Sequence, residues 1–132
     1  MTDPELIVNA VKSDSVLAGL LSGAIYPVVL PKDPPLPAVT YALASQPTEW
    51  TQEQAQYRWP RWRFRIYSLM YADLIPIAIG LASLFGDRTR SPLPSSRIEY
   101  PPPPVEGHEN DTNRYWRALD VVSYASAGGA SQ

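Results

Sequence analysis

Residues Arg61 to Ser68 read Arg-Trp-Arg-Phe-Arg-Ile-Tyr-Ser, with basic or polar residues alternating with large apolar ones over most of the run. Strand side chains point to opposite faces with a period of two, so this stretch is a strand with two chemically distinct faces. Soon after it, Leu74, Ala78, Leu81 and Phe85 recur at i, i+4, i+7 and i+11, which predicts a helix. That helix is apolar nearly all round, because Ile75, Ile77, Ile79, Ala82 and Leu84 fill its other faces. A helix of this kind is buried on several sides. In a domain this small, the second side is most simply covered by a neighbouring subunit. Ile75, Ile77 and Ile79 are therefore expected at an intersubunit interface.

The remaining chain supplies the partners of this pair. Thr2-Asp3-Pro4-Glu5 has capping-box spacing with proline in the first turn, so a short helix carrying Ile7, Ala10 and Val11 is expected. Asp14 or Ser15 caps a second short turn with Val16, Leu17, Leu20 and Leu21, closed by Gly23. Ile25-Tyr26 is a brief extended segment ending at Pro27, and the prolines of 31–37 stiffen the connection that follows. Ala38 to Ser45 reads as a strand, with Val39, Tyr41 and Leu43 on one face. Ala38, Thr40, Ala42 and Ala44 make the other face low enough for a helix to pack closely on it. Gln46 to Gln56 is polar and reads as a long hairpin loop, leading into a strand from Gln56 to Tyr67.

Asp73 is the expected N-cap of the apolar helix, with Pro76 in its first turn and Gly86 just past its end. Arg97 to Tyr100 is a short strand, and the Pro101–Pro104 run should block further pairing. Val105 to Asn113 is turn-rich, and Arg114 to Tyr124 is the last strand. The fold class expected from this order is α+β: an antiparallel sheet with helices packed on one face. Residues 1–124 form a single domain, and 125–132 form a flexible Gly/Ser/Ala tail.

The candidate chemistry is sparse. The 132 residues include no cysteine, which excludes disulfides and thiolate metal sites. The single histidine, His108, sits with Glu106, Glu109 and Asp111 in a proline-flanked loop that lacks the fixed spacing of a metal or acid–base site. No catalytic residue, metal or cofactor is expected, and the chain reads as a non-enzyme. The longest apolar stretch, Leu74 to Phe85, is too short to cross a bilayer and contains Pro76 and Gly80, so no membrane association is expected. The acidic opening Met1–Glu5 lacks a leader pattern.

Arg61, Arg63 and Arg65 admit two readings. They face a polyanion, as in a nucleic-acid-binding module, or they pair with carboxylates of a neighbouring strand or subunit. The net charge of −2, with thirteen acidic residues available, favours pairing, and Arg61, Arg63 and Arg65 are expected, with the three isoleucines, at the intersubunit interface. Trp62 is expected in the core, whereas Trp50 and Trp59, beside the long hairpin loop, are the candidates for partner contact.

Taken in order, these elements resemble the tail-completion or tail-terminator proteins of long-tailed bacteriophages. The resemblance runs from the first helix through Asp14-Ser15-Val16-Leu17-Ala18-Gly19-Leu20 and Ala24-Ile25-Tyr26-Pro27 to Leu36-Pro37-Ala38-Val39-Thr40-Tyr41. It continues with Arg63-Phe64-Arg65-Ile66-Tyr67-Ser68, Tyr71-Ala72-Asp73 and its helix, and Arg114-Tyr115-Trp116-Arg117-Ala118-Leu119-Asp120-Val121. It implies an α+β subunit of a hexameric ring at the head–tail junction of a virion, assembled in the host cytoplasm. Such a ring caps the tail tube, ends its polymerisation and joins it to the head connector. DNA would pass through the lumen without specific binding. A head-side adaptor ring is the nearest alternative, and the Pro101–Pro104 run and the Gln46–Gln56 loop are departures from the family's pattern.

Overall fold

A computed structural model describes residues 2–45, 48–50, 56–87 and 89–126. Helices α1 (Asp3–Ser13) and α2 (Ser15–Leu21) lead into strands β1 (Ile25–Pro27) and β2 (Ala38–Ser45). A ribbon of β3 (Thr48–Trp50) and β4 (Gln56–Arg58) precedes the long strand β5 (Arg61–Ser68). A 3-10 turn over Tyr71–Asp73 runs into α3 (Leu74–Gly86), and then come β6 (Arg97–Glu99), β7 (Glu106–Glu109), β8 (Arg114–Val122) and β9 (Ala125–Ser126). The fold is α+β, as expected. Its six-stranded sheet has the order β1-β2-β5-β8-β6, with β7 also paired to β8, while β3-β4-β9 form a small second sheet.

All three helices cover one face of the large sheet. In β5, Trp62, Phe64 and Ile66 face the helices, opposite Leu43, Tyr41 and Val39 of β2 and alongside Leu119 and Val121 of β8. Ile7 and Val11 of α1, Leu17 and Leu21 of α2, and Leu74, Ile77, Leu81, Leu84 and Phe85 of α3 close the core over them. Phe64 and Phe85 meet with ring centroids 5.3 Å apart. A Cβ at Gly80 would lie 2.8 Å from Leu17 Cδ2, so glycine there lets α2 pack close to α3.

Local capping explains where the helices begin. Thr2 Oγ1 accepts the Glu5 amide, and Asp14 Oδ1 accepts the amides of Val16 and Leu17 at 3.0 and 3.1 Å. The other Asp14 oxygen pairs with Arg90, which also bonds Ser83 Oγ and so ties the loop after α3 to the α1–α2 corner. Asp73 stands at the N-cap position of α3, as expected, but its side chain makes no capping hydrogen bond. Its backbone is already helical, continuing the 3-10 turn, and its carboxylate instead accepts the Ser68 hydroxyl at 3.2 Å.

Tertiary pairing changes several sequence expectations. β1 runs parallel to β2, because the proline-rich connection carries the chain back before β2 starts. Helices cover the Val39/Tyr41 face rather than the small-residue face, because burying the larger apolar surface is more favourable. The 46–56 stretch is not simply a loop: Thr48–Trp50 pairs with Gln56–Arg58, and Trp59-Pro60 separates that ribbon from β5. Pairing also resumes after the proline run as β7. Between Glu99 opposite Asp120 and Glu106 opposite Arg117, the chain leaves the edge of β8 and returns to it, with Ala118 N–H donating to Val105 O at 2.7 Å. At the C-terminal end, Ala125 and Ser126 pair with β4 rather than fraying, and 127–132 lie outside the described residues.

The apolar helix divides by face. Ile77 is fully buried in the subunit's own core and is thereby removed from any intersubunit surface, whereas Ile75 is 37% and Ile79 64% exposed. Ile77→Ala should therefore lower the free energy of unfolding by about 2–5 kcal/mol. Ile79→Ala should change it by no more than about 0.5 kcal/mol. Urea denaturation of the dilute protein measures both, and equal losses would contradict this division.

Candidate functional site

The sheet face away from the helices carries the chain's charge chemistry. Alternation in β5 puts Arg61, Arg63, Arg65 and Tyr67 there, and the register of β8 sets Val122, Asp120, Ala118 and Trp116 opposite them. Asp120 is fully buried, yet both of its oxygens are satisfied. Oδ1 accepts Arg63 Nε at 3.0 Å, and Oδ2 accepts Arg61 Nη1 at 2.8 Å and Arg63 Nη2 at 3.3 Å. Arg61 also reaches Glu99 on β6 at 2.5 Å, and Arg97 binds the other Glu99 oxygen at 2.7 Å. Five side chains, Arg63, Asp120, Arg61, Glu99 and Arg97, thus form a chain of alternating charge across β5, β8 and β6. The hydrogen bond to Asp120 raises the Arg61 pKa further, against the opposing effect of burial. Arg97 first, and then Arg61, hold the Glu99 carboxyl below its ordinary value.

Arg65 is placed differently. Its guanidinium carbon lies 4.9 Å from the centre of the Trp116 ring, a cation–π contact. The indole fits because Gly107 lies opposite it on β7, where a Cβ would come within 2.8 Å of Trp116 Nε1. Beside Arg65 the face opens into a groove of about 440 Å³. Thr40, Ala42 and Ala44 form its floor, Val28 and Val29 stand on one side, and Glu109 and Arg114 lie at the other.

The other sequence candidates fall into separate places. Trp59 is half-buried and makes an edge contact with Tyr124 at 5.1 Å, with the Arg97 guanidinium 5.7 Å from its ring. The Trp50 side chain lies outside the described residues. Ile75 and Ile79 are on the helix side of the sheet, so the arginine row and the exposed isoleucines occupy opposite faces. The His108 ring nitrogens meet the Asn110 and Asn113 side-chain oxygens within the β7–β8 turn. Glu106 is engaged by Arg117 and by the Tyr71 hydroxyl. Among the described residues no group of three or more His, Asp or Glu could hold a metal.

Along its own strand Asp120 has Arg114 and Arg117 as charged neighbours, and it pairs with neither. Its partners are Arg61 and Arg63, because Arg63 stands directly opposite it across the sheet and Arg61 lies on the same face two residues away. The groove was not foreseen, since β1 and the β7–β8 turn meet its floor only through sheet order.

No family model and no curated protein matches the sequence. Among solved structures, a chain in the virion of a native gene transfer agent particle matches with a TM-score of 0.68. The two chains share a fold. The match covers 96% of each chain at 15% sequence identity, so the shared architecture includes the helices and the large sheet rather than a fragment of either.

Removal of the buried carboxylate in Asp120→Ala leaves two half-buried guanidinium groups facing each other across an empty site. The expected loss is about 2–4 kcal/mol of stability by chemical denaturation. For Glu99 the sign follows from its depressed folded-state pKa. Its contribution is complete above the ordinary carboxylate range and is lost as pH falls through the lower, folded value. Glu99→Gln should therefore flatten the acid limb of a melting-temperature profile and leave the slope between about pH 6 and 8 unchanged.

Proposed function

We propose that the protein is a structural component of a phage-like virion. It forms a hexameric ring that caps the tail tube, ends tube polymerisation and joins the tail to the head connector. The observation that carries this reading is the fold shared over 96% of both chains with a component of a gene transfer agent virion. The terminator role rests further on the order of elements that resembles the tail-terminator family.

Physical features agree with a ring subunit. A head-to-tail ring needs two unlike surfaces on each copy. The subunit has them: an apolar strip with Leu69, Met70, Ile75 and Ile79 exposed on the side of the 3-10 turn and α3, and the arginine face on the other side of the sheet. A ring that ends a polymer must match the last tube subunit on one side and refuse another on the opposite side, which needs shape and no chemistry. DNA transit through the lumen is compatible with this surface, because Arg61 and Arg63 are already paired with Asp120 and Glu99. The same pairing weakens the reading of the arginine row as a free nucleic-acid site.

The test combines the purified protein with self-assembling tail-tube subunits. Substoichiometric protein should stop tube elongation, and negative-stain images should show a single ring at one tube end. Unchanged tube growth, with the protein bound to the head connector alone, would favour the head-side adaptor. Binding to neither component would remove the virion-junction role.

A further inference from the structure

We propose that the groove on the open sheet face is a phosphate-binding site built from Arg65, Arg114, Thr40 and Tyr67. The proposal stands on the groove alone and does not depend on the ring reading above.

Charge sets the sign of the ligand. Five arginines of β5, β6 and β8 lie on this face with Asp120, Glu99 and Glu109, an excess of two positive charges in a chain whose net charge is −2. Asp120 and Glu99 engage Arg61, Arg63 and Arg97. Among the described residues neither Arg65 nor Arg114 forms an ion pair, and both line the groove. The Trp116 ring holds the Arg65 guanidinium in place without neutralising it.

Neutral donors complete the site. Thr40 pairs directly with Arg65 across β2 and β5, and Tyr67 follows two residues later on the same face. Thr40 is only 4% exposed and lines the groove, yet its hydroxyl makes no hydrogen bond among the described residues. A hydroxyl this deep gains a partner when a ligand oxygen reaches it. Arg114 enters from β8, two residues before Trp116, the partner of Tyr67. Donors therefore come from three strands. That suits an anion with three or more acceptor oxygens better than a planar carboxylate with two.

The size and walls of the groove narrow the class further. Its volume of about 440 Å³ falls within the roughly 300–1,000 Å³ of ligand sites. Val28 and Val29, 67% and 69% exposed, give it an apolar side against which the body of a ligand can rest. The ligand class is therefore a phosphate ester, either a free phosphomonoester or the phosphodiester backbone of a nucleic acid. Glu109 acts against it. This carboxylate lines the same groove opposite Arg114 and accepts the Thr112 hydroxyl, so it weakens the site without closing it.

Isothermal titration of the full-length protein with inorganic phosphate, and separately with a short single-stranded DNA, tests the site. Phosphate should bind, and Arg65→Gln or Arg114→Gln should each weaken binding at least about tenfold. Glu109→Gln should tighten it about two- to fivefold by removing the opposing charge. Lys12→Gln, on α1 and the helix side of the sheet, makes the same change in net charge as either arginine variant and should leave binding unaltered. Unchanged melting temperatures would show that each variant is folded. Absence of phosphate binding by the wild type overturns the proposal, and so does unaltered binding in the two arginine variants. An equal loss in Lys12→Gln also overturns it, because the response would then be to net charge alone. DNA binding that weakens with the same two arginine changes and is displaced by phosphate assigns the site to a nucleic-acid backbone. Phosphate binding that depends on both arginines, with DNA binding absent or indifferent to them, assigns it to a free phosphomonoester.

Discussion

Strand β5 is paired along its whole length, to β2 on one side and β8 on the other, and its alternating sequence allows one orientation of the sheet. Turning it over would bury three arginines against α3 and expose Trp62, Phe64 and Ile66 to water. The arrangement is reinforced at Asp120, a carboxylate with no exposed surface whose two oxygens bind Arg61 and Arg63. A buried charge is tolerated only when it is paired and hydrogen-bonded. A one-residue slip of β8 against β5 would leave this carboxylate without partners and also displace Leu119 and Val121 from the core. Electrostatics and packing therefore specify the same register.

The edges of the sheet are closed by different means. At one end of its outer edge β8 is paired with β6 and at the other with β7, with the proline run looping away between them. Proline cannot donate a ladder hydrogen bond, so the run departs from the edge while its flanks stay paired. At the opposite edge, β1 is three residues long and ends in Pro27 before Val28 takes a positive φ of 64°. Neither edge offers a long ladder for adding another strand. The broad surfaces left open are therefore the faces of the sheet rather than its edges.

The fold was largely legible because its strongest signals are periodic and local. The alternation of Arg61–Ser68, the helical spacing of α3 and the Thr2 and Asp14 caps each depend on residues within a few positions of one another. The failures share a cause. Asp73 holds the N-cap position, but the preceding 3-10 turn has already made its backbone helical and its carboxylate accepts the Ser68 hydroxyl rather than a helix amide. Ile77 and Ile79 are alike in sequence, and only the direction from which the sheet approaches α3 buries one and exposes the other. The ribbon within 46–56 and the strand β7 were hidden because polar strands lack an apolar period. Their pairing depends on which backbone lies alongside.

The sequence by itself determined the class of fold, the two chemistries of β5, the helix starts and the lack of thiol chemistry. Those properties follow from residue type and near-neighbour spacing. Tertiary structure alone decided that Asp120 belongs to Arg61 and Arg63, that the small-residue face of β2 stays open, and that Val28, Arg65 and Arg114 border one groove. Each of these brings together residues distant in the chain, and strand order and register, rather than composition, fix such distances.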